Sequence, residues 1–177
     1  VLKEELLTAG GALSDDSLVL LFDKVGARGR AYELGWDSVT GSESSVIAER
    51  LSVMNDLAHK HLLNASKDVS VAGIVGTAGM LIEYSGKGGV IDIDAVENSR
   101  PKSIPLKDWL RMYISLGFLV SVSRANISAV RKVAEDHGMT MIEVGVVDHS
   151  TSLRLRKGSE EVIMFDFSKG PILTPRG

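Results

Sequence analysis

The sequence predicts an α+β domain, and three observations carry that expectation. Short apolar runs at residues 18–22, 117–122 and 141–147 have the length and β-rich composition of strands. Residues 152–156 and 161–165 flank the turn Lys157-Gly-Ser-Glu160 as a β-hairpin, with Leu153 and Leu155 inward and Arg154 and Arg156 in solvent. Between these lie helical periodicities: Ile47, Leu51, Met54, Ala58 and Leu62, then Ile127, Val130, Val133 and Ala134. The strand–helix–strand unit from Gly117 to Val147 reads as half of a ferredoxin-like arrangement.

Taken in order, residues 1–7 form a short amphipathic piece, and residues 8–16 a turn-rich connector. The 18–22 run, between Asp16 and Asp23, fits a sheet interior. Residues 26–37 read as a loop holding Arg28, Arg30, Tyr32, Trp36 and three glycines. Arginine forks suit phosphate or carboxylate, although a surface loop anchored by Trp36 explains the same residues. Thr40, Gly41, Ser42 and Glu43 match a capping box, and the helix behind them should run to about Leu63. His59 and His61 fall on different faces of it, which does not suit a shared metal.

A second helix spans 71–84 and stops at Ser85-Gly-Lys-Gly-Gly89. Lys87 follows a helix instead of preceding one, so this run is a turn and not a phosphate loop. Val90 to Asp94 alternates as a strand with Asp92 and Asp94 on one face, either a wet side or a magnesium pair. Pro105 opens a helix carrying Trp109, Met112 and Tyr113. Ser123 caps the 127–134 helix and Gly138 stops it, leaving His137 and His149 with local roles. The proline-punctuated tail after Ser168 does not continue the sheet.

Bulk composition narrows the function classes. Apolar residues make up 44% and charged residues 24% of 177, ordinary for one globular domain. A net charge of −3 argues against a broad nucleic-acid surface, and no apolar run approaches the ~18 residues that span a bilayer. A cytoplasmic protein bound to neither nucleic acid nor membrane is expected. With no cysteine, chemistry must run on oxygen and nitrogen groups. Val1 is not methionine, so the sequence is expected to continue upstream.

That chemistry is best placed in residues 67–80, where Lys67, Asp68 and Ser70 precede a helix with Gly73, Gly76 and Gly79 at every third position. Each glycine costs a helix interior roughly 1 kcal/mol relative to alanine, which a packing or functional gain must offset. A bare face admits another backbone or a ligand, and first-turn amides past Asp68 and Ser70 form an anion site. Asp68 and Ser70 are the candidate catalytic residues, with Asp68 holding a metal or orienting a hydroxyl. Lys67, Gly73, Arg28, Arg30, Trp36 and Asp37 are the candidate substrate and phosphate contacts, the 28–37 loop forming the opposite wall of a cleft. No set of residues within the chain stands out as a metal site. Capping alone accounts for Asp68 and Ser70, and packing alone for the glycines.

Lys67-Asp-Val-Ser-Val-Ala-Gly-Ile-Val-Gly-Thr77, Met80-Leu-Ile-Glu-Tyr-Ser85 and the Gly117-Phe-Leu-Val-Ser-Val122 strand resemble the carboxy-terminal domain of the aminoimidazole ribonucleotide (AIR) synthase, or PurM-like, superfamily. Tyr32-Glu-Leu-Gly-Trp-Asp-Ser-Val-Thr40, Leu63-Asn-Ala-Ser-Lys-Asp68 and Phe165-Asp-Phe167 particularly resemble the archaeal AIR synthase-related proteins known as methanogenesis markers. The resemblance implies a mixed, largely antiparallel sheet flanked by helices. It implies that residues 1–16 connect to an amino-terminal ATP-binding domain of the same chain, and that residues 17–177 are the carboxy-terminal domain. It further implies a homodimeric enzyme that uses Mg-ATP, bound mainly outside this segment, to phosphorylate or activate an oxygen of a small-molecule substrate. The segment alone should then be inactive. Asp68, Ser70 and Gly73 match the motif, whereas Val71-Ala72 replaces residues that are often glycine, proline or asparagine in relatives. A non-catalytic ligand-sensing or interaction domain is the alternative.

Overall fold

The computed structural model describes residues 6–172, so the expectations placed on residues 1–5 and 173–177 lie outside the described residues. In chain order the elements are β1 (Ser17–Phe22), β2 (Ala27–Arg28), β3 (Gly35–Asp37), α1 (Ser44–His59), β4 (Ala65–Asp68), α2 (Gly73–Tyr84), β5 (Gly88–Asp92) and α3 (Ile93–Ser99). There follow α4 (Leu106–Trp109), β6 (Tyr113–Ile114), β7 (Gly117–Val122), a 3-10 turn (Arg124–Asn126), α5 (Ile127–Asp136), β8 (Thr140–Asp148), β9 (Ser152–Lys157) and β10 (Glu160–Asp166). Seven strands make one sheet in the order β10-β9-β5-β8-β1-β7-β4, and β2-β3-β6 form a small second sheet. The large sheet is antiparallel except between β5 and β9.

The 18–22 run is continuously apolar because β1 is covered on both faces. Leu18, Leu20 and Phe22 enter a core built with Ile74, Ala78 and Leu81 of α2 and Trp109 of α4. Val19 and Leu21, pointing the other way, join Val53 and Leu57 of α1 and Val130 and Val133 of α5. Helices therefore flank the sheet on both sides, as the α+β reading requires.

Several local expectations change. The capping box does not form: Glu43 is the N-cap of α1 but makes no side-chain bond, and the Thr40 amide donates to Asp37 Oδ1. The helix ends at His59 rather than near Leu63, since His61 turns to φ +51° and the Leu62 amide returns to the Leu57 carbonyl. Its buried stripe passes through Val53, Leu57 and Ala58, leaving Leu51 exposed.

Asp92 and Asp94 do not share a strand face. β5 stops at Asp92, whose carboxylate caps α3 by accepting the Asp94 and Ala95 amides at 3.1 Å. Tyr113, expected in a helix, lies in β6, because α4 closes after one turn. Ser123 makes no side-chain cap and the 3-10 turn precedes α5. The hairpin arginines are ion-paired, Arg154 to Asp148 and Glu161 and Arg156 to Asp92, because β9 lies between β5 and β10. His137 ties α5 to α1 through Glu49, Ser52 and Asp56, and His149 meets the Ser14 hydroxyl.

Candidate functional site

β4 is the edge strand at the α1 end of the sheet, and its pairing with β7 fixes where the 67–80 motif begins. Ser66 and Asp68 stand opposite Val120 and Phe118, toward α1, while Lys67 stands opposite Leu119, toward α2. Lys67 Nζ nevertheless reaches round the open edge to Asp68 Oδ1 at 3.2 Å. The Asp68 side chain remains 63% exposed. Beyond it, the Val69 amide donates to the Gly117 carbonyl and the Ile114 amide to the Val69 carbonyl, so the chain is clamped before it turns into α2.

The turn into α2 does not use the motif's polar side chains. Ala72 is the N-cap, in the αR conformation, and no side chain caps the helix. Ser70 contributes only its carbonyl, which accepts the Gly73 amide at 2.9 Å. The first-turn amides are partly occupied, since the Val75 amide donates to the Leu110 carbonyl at 3.4 Å. Gly73 has φ +66°, and a Cβ there would lie 2.5 Å from the Arg111 Cα and 2.7 Å from the Leu110 oxygen. The bare helix face is thus filled by the chain's own backbone. Gly79 is likewise covered, since a Cβ would meet Ile172 Cδ1 at 2.6 Å and Phe165 Cδ2 at 3.0 Å.

Two cavities open at this end of the molecule. The first, about 490 Å³, lies between α1 and β4 and is lined by Met54, Asn55, Ala58, Ser66, Lys67, Asp68 and Phe118, with Leu7 and Ala9 of the connector at its rim. The second, about 360 Å³, lies against the small sheet and takes in Arg30, Tyr32, Gly35, Trp36, Asp37, Tyr113 and Ser115. They are divided by residues 114–117, which bond to Val69 on one side and, through the Ser115 amide, to the Trp36 carbonyl on the other.

The structure therefore brings Lys67 and Asp68 together, and separately Arg30, Trp36 and Asp37. Arg28 faces neither cavity's ligand space: its guanidinium is held by Asp108 at 2.7 Å and by the Glu33 carbonyl at 2.8 Å. Trp36 is 3% exposed and donates its Nε1 to the Asp23 carbonyl, so it is a core residue with one edge at a cavity. The Asp37 carboxyl is held below the usual range by the Thr40 hydroxyl and by the Thr40 and Val39 amides. Asn55, Tyr113 and Ser115 were not legible as lining residues, because helix phase and the β3–β6 pairing place them. Chemically, the first cavity offers a cation–carboxylate pair and an amide at its mouth, which suits orientation of a hydroxyl or phosphate. The second is mainly apolar with one exposed guanidinium.

The AIR synthase related protein, C-terminal domain family matches residues 8–158. An uncharacterised protein of Methanocaldococcus jannaschii is 30% identical over 167 residues, covering 94% of this chain and 51% of the relative. One from Synechocystis sp. is 30% identical over 169 residues, covering 96% and 52%. The chain spans about half the length of these relatives. Among solved structures, Thermotoga maritima PurL complexed with ATP superposes with a TM-score of 0.72 at 16% identity, over 92% of this chain and 26% of that one. Thiamine-monophosphate kinase from Stenotrophomonas maltophilia gives 0.63 at 15% identity, over 88% and 54%. The mixed sheet, the flanking helices and the family match over most of the sequence have one reading: the chain belongs to the AIR synthase related family and carries its C-terminal domain.

Proposed function

We propose that this chain is the substrate-side domain of an ATP-dependent enzyme that phosphorylates or otherwise activates an oxygen of a small metabolite. The observation that carries the reading is that Asp68 and Ser70, which capping would have explained, cap nothing. Asp68 stands exposed at a cavity, and among the described residues it bonds only to Lys67 and the Ser70 hydroxyl makes no hydrogen bond. In this reading Asp68 would orient the reacting hydroxyl or a magnesium ion and Lys67 would offset phosphate charge, whereas Ser70 lines neither cavity and would join them only by contact with a ligand that reaches past Asp68. Backbone held by Gly73 fixes their positions, as phosphoryl transfer requires.

Mg-ATP would be held mainly by a domain reached through residues 1–16 and closing over the β4 edge, in a cytoplasmic homodimer. The length of the relatives supports a further domain, and the ATP complex of PurL supports nucleotide use in this fold. Relatives at 30% identity come from both M. jannaschii and Synechocystis, which favours a role wider than methanogenesis.

Full-length protein bearing Asp68→Ala should lose Mg-ATP-dependent phosphate or ADP release across a panel of small phosphorylated metabolites. Its melting temperature should stay within a few degrees of wild type, because the carboxylate is largely solvated. Unchanged turnover would remove Asp68 from catalysis. Ligand-dependent melting in a wild-type protein with no turnover at all would leave the ligand-sensing alternative.

A further inference from the structure

We propose that a third cavity, where α5 begins over the sheet, binds a free α-amino acid with an aliphatic side chain. It measures about 440 Å³ and lies between the start of α5 and strands β1 and β8. Asp68 is at the opposite end of these strands: β7 pairs Phe118 with Asp68 but Val122 with Ser17, and Ser17 lines the third cavity. A break in β8 builds the site. Glu143 and Val146 are three residues apart, so an unbroken strand would turn them to opposite faces. The register between β1 and β8 shifts at Leu18–Val19, pairing Ser17 with Val146 and Val19 with Glu143. The extra residue in β8 therefore returns Glu143 and Val146 to one face, that of Ser17 and of Val19, which packs with Val130 of α5.

The lining carries one charge of each sign and an apolar floor. Glu143 is fixed from two sides, by the Ser17 hydroxyl, which donates to Oε2 at 3.1 Å, and by Arg131, whose guanidinium meets Oε1 at 3.4 Å. Its side chain stays 45% exposed, with lone pairs left for a further donor. Arg124 is anchored through Nε to the Asp15 carbonyl at 3.4 Å and forms no ion pair among the described residues, so its two terminal nitrogens remain for an anion. Arg124 and Glu143 line one cavity without pairing with each other, which leaves space between them for a molecule. Ile127 and Val146, both partly buried, supply the apolar surface. A simple anion would meet Glu143 and a simple cation would meet Arg124, each at a like-charge cost. A zwitterion satisfies both, with its carboxylate on the Arg124 fork, its ammonium on Glu143 and a short aliphatic chain against Ile127 and Val146. The proposal rests on this cavity and not on phosphoryl transfer at Asp68.

Calorimetric titration of the full-length protein without ATP tests it alone, with L-valine and L-leucine as probes. Each probe has two analogues that lack one charge: isovalerate and isocaproate have no ammonium, isobutylamine and isoamylamine no carboxylate. At least one of the two amino acids should bind, and both of its analogues should bind roughly tenfold more weakly or worse, the loss of one charge-assisted contact. Arg124→Ala should weaken the amino acid roughly tenfold and the amine not at all, whereas Glu143→Gln should weaken the amino acid and not the carboxylate. A merely structural role for either residue would not give this crossed pattern. Both residues are exposed, so their replacement leaves the fold standing. The proposal fails if neither amino acid binds at millimolar concentration, if an analogue binds as tightly as its amino acid, or if both variants leave affinity unchanged. Asp68→Ala should bind the amino acid as wild type does; a loss there would put the ligand in the Asp68 cavity and overturn the assignment, whereas a loss of turnover alone concerns phosphoryl transfer.

Discussion

Gly73→Ala tests how the 67–80 motif is seated. A non-glycine residue at φ +66° costs about 1–2 kcal/mol from the dihedral alone. The added Cβ would also press on the Arg111 backbone at 2.5 Å, and backbone cannot swing aside as a side-chain tip does. Overpacking of this sort costs about 1–3 kcal/mol. Gly86 supplies the control, since its φ of +63° is nearly the same but a Cβ there meets nothing within 4 Å. In a chain of this size about 1 kcal/mol moves the melting temperature by about 2–4 °C. Gly86→Ala should therefore melt about 2–8 °C below wild type, and Gly73→Ala a further 2–12 °C below that. Calorimetric melting of the three proteins side by side gives the comparison. Equal losses at the two positions would refute the contact between Gly73 and residues 110–111, and with it the account of what fixes Ser70 and Asp68 at the sheet edge.

Two further outcomes follow from single contacts. Asp92→Ala removes the cap of α3 and the partner of Arg156, and should cost about 1 kcal/mol by chemical denaturation at neutral pH. Burial opposes ionisation of Asp92, but the Ala95 amide and Arg156 outweigh it and hold the carboxyl below its ordinary value. Its contribution is thus present above the unfolded pKa near 3.9 and fades as pH falls through the lower folded value. The gap between wild type and Asp92→Ala should accordingly be full above about pH 5 and narrow under acid; a gap that widens in acid contradicts the assignment. Arg28→Ala cuts the tie between the 28–37 segment and Asp108, and should raise amide exchange at residues 29–35 with little change in melting temperature. Unaltered exchange there would show that the segment does not depend on Arg28.

Period and composition were sufficient where one physical effect dominated. β1, β7, β8 and the β9–β10 hairpin are strands whose short apolar runs or period-two alternation match that state, and Gly138 and Gly158 adopt the positive φ their turns need. The errors cluster where a hydrogen-bond partner other than the one the pattern named took the free amides, either a carboxylate two or three residues away or a strand paired from a distance. Val90 to Asp94 alternates well enough to read as one strand, yet the Asp92 carboxylate captures two amides and starts a helix. The 26–37 segment looks like a loop because β2 and β3 are two and three residues long, stable only through pairing with each other and with β6, some 80 residues distant. Thr40 and Glu43 satisfied a capping template, but Asp37 lay closer to the free amides and took them.

The candidate site shows the same division between what local pattern and what packing determine. Asp68 and Ser70 could be picked out as chemistry-bearing residues from a helix start, but the sequence could not tell capping from availability, because both use the same residue types at the same spacing. Only the φ of Gly73 and the N-cap at Ala72 decide it: the helix begins later than its pattern and leaves both side chains outside. The glycines, which read as an opening for a ligand, are closed instead, Gly73 by residues 110–111, Gly76 by Ala72 and Gly79 by Phe165 and Ile172. The two cavities are separate, one bordered by Asp68 and the other by Arg30. A single substrate that touched both would have to pass residues 114–117, so each arginine or carboxylate variant should disturb only its own cavity. In the Asp68→Ala, Arg30→Ala double variant a ligand of one cavity should then lose no more affinity than in that cavity's own single variant; a loss of the same ligand's affinity from both single substitutions would mean that one ligand bridges the two cavities.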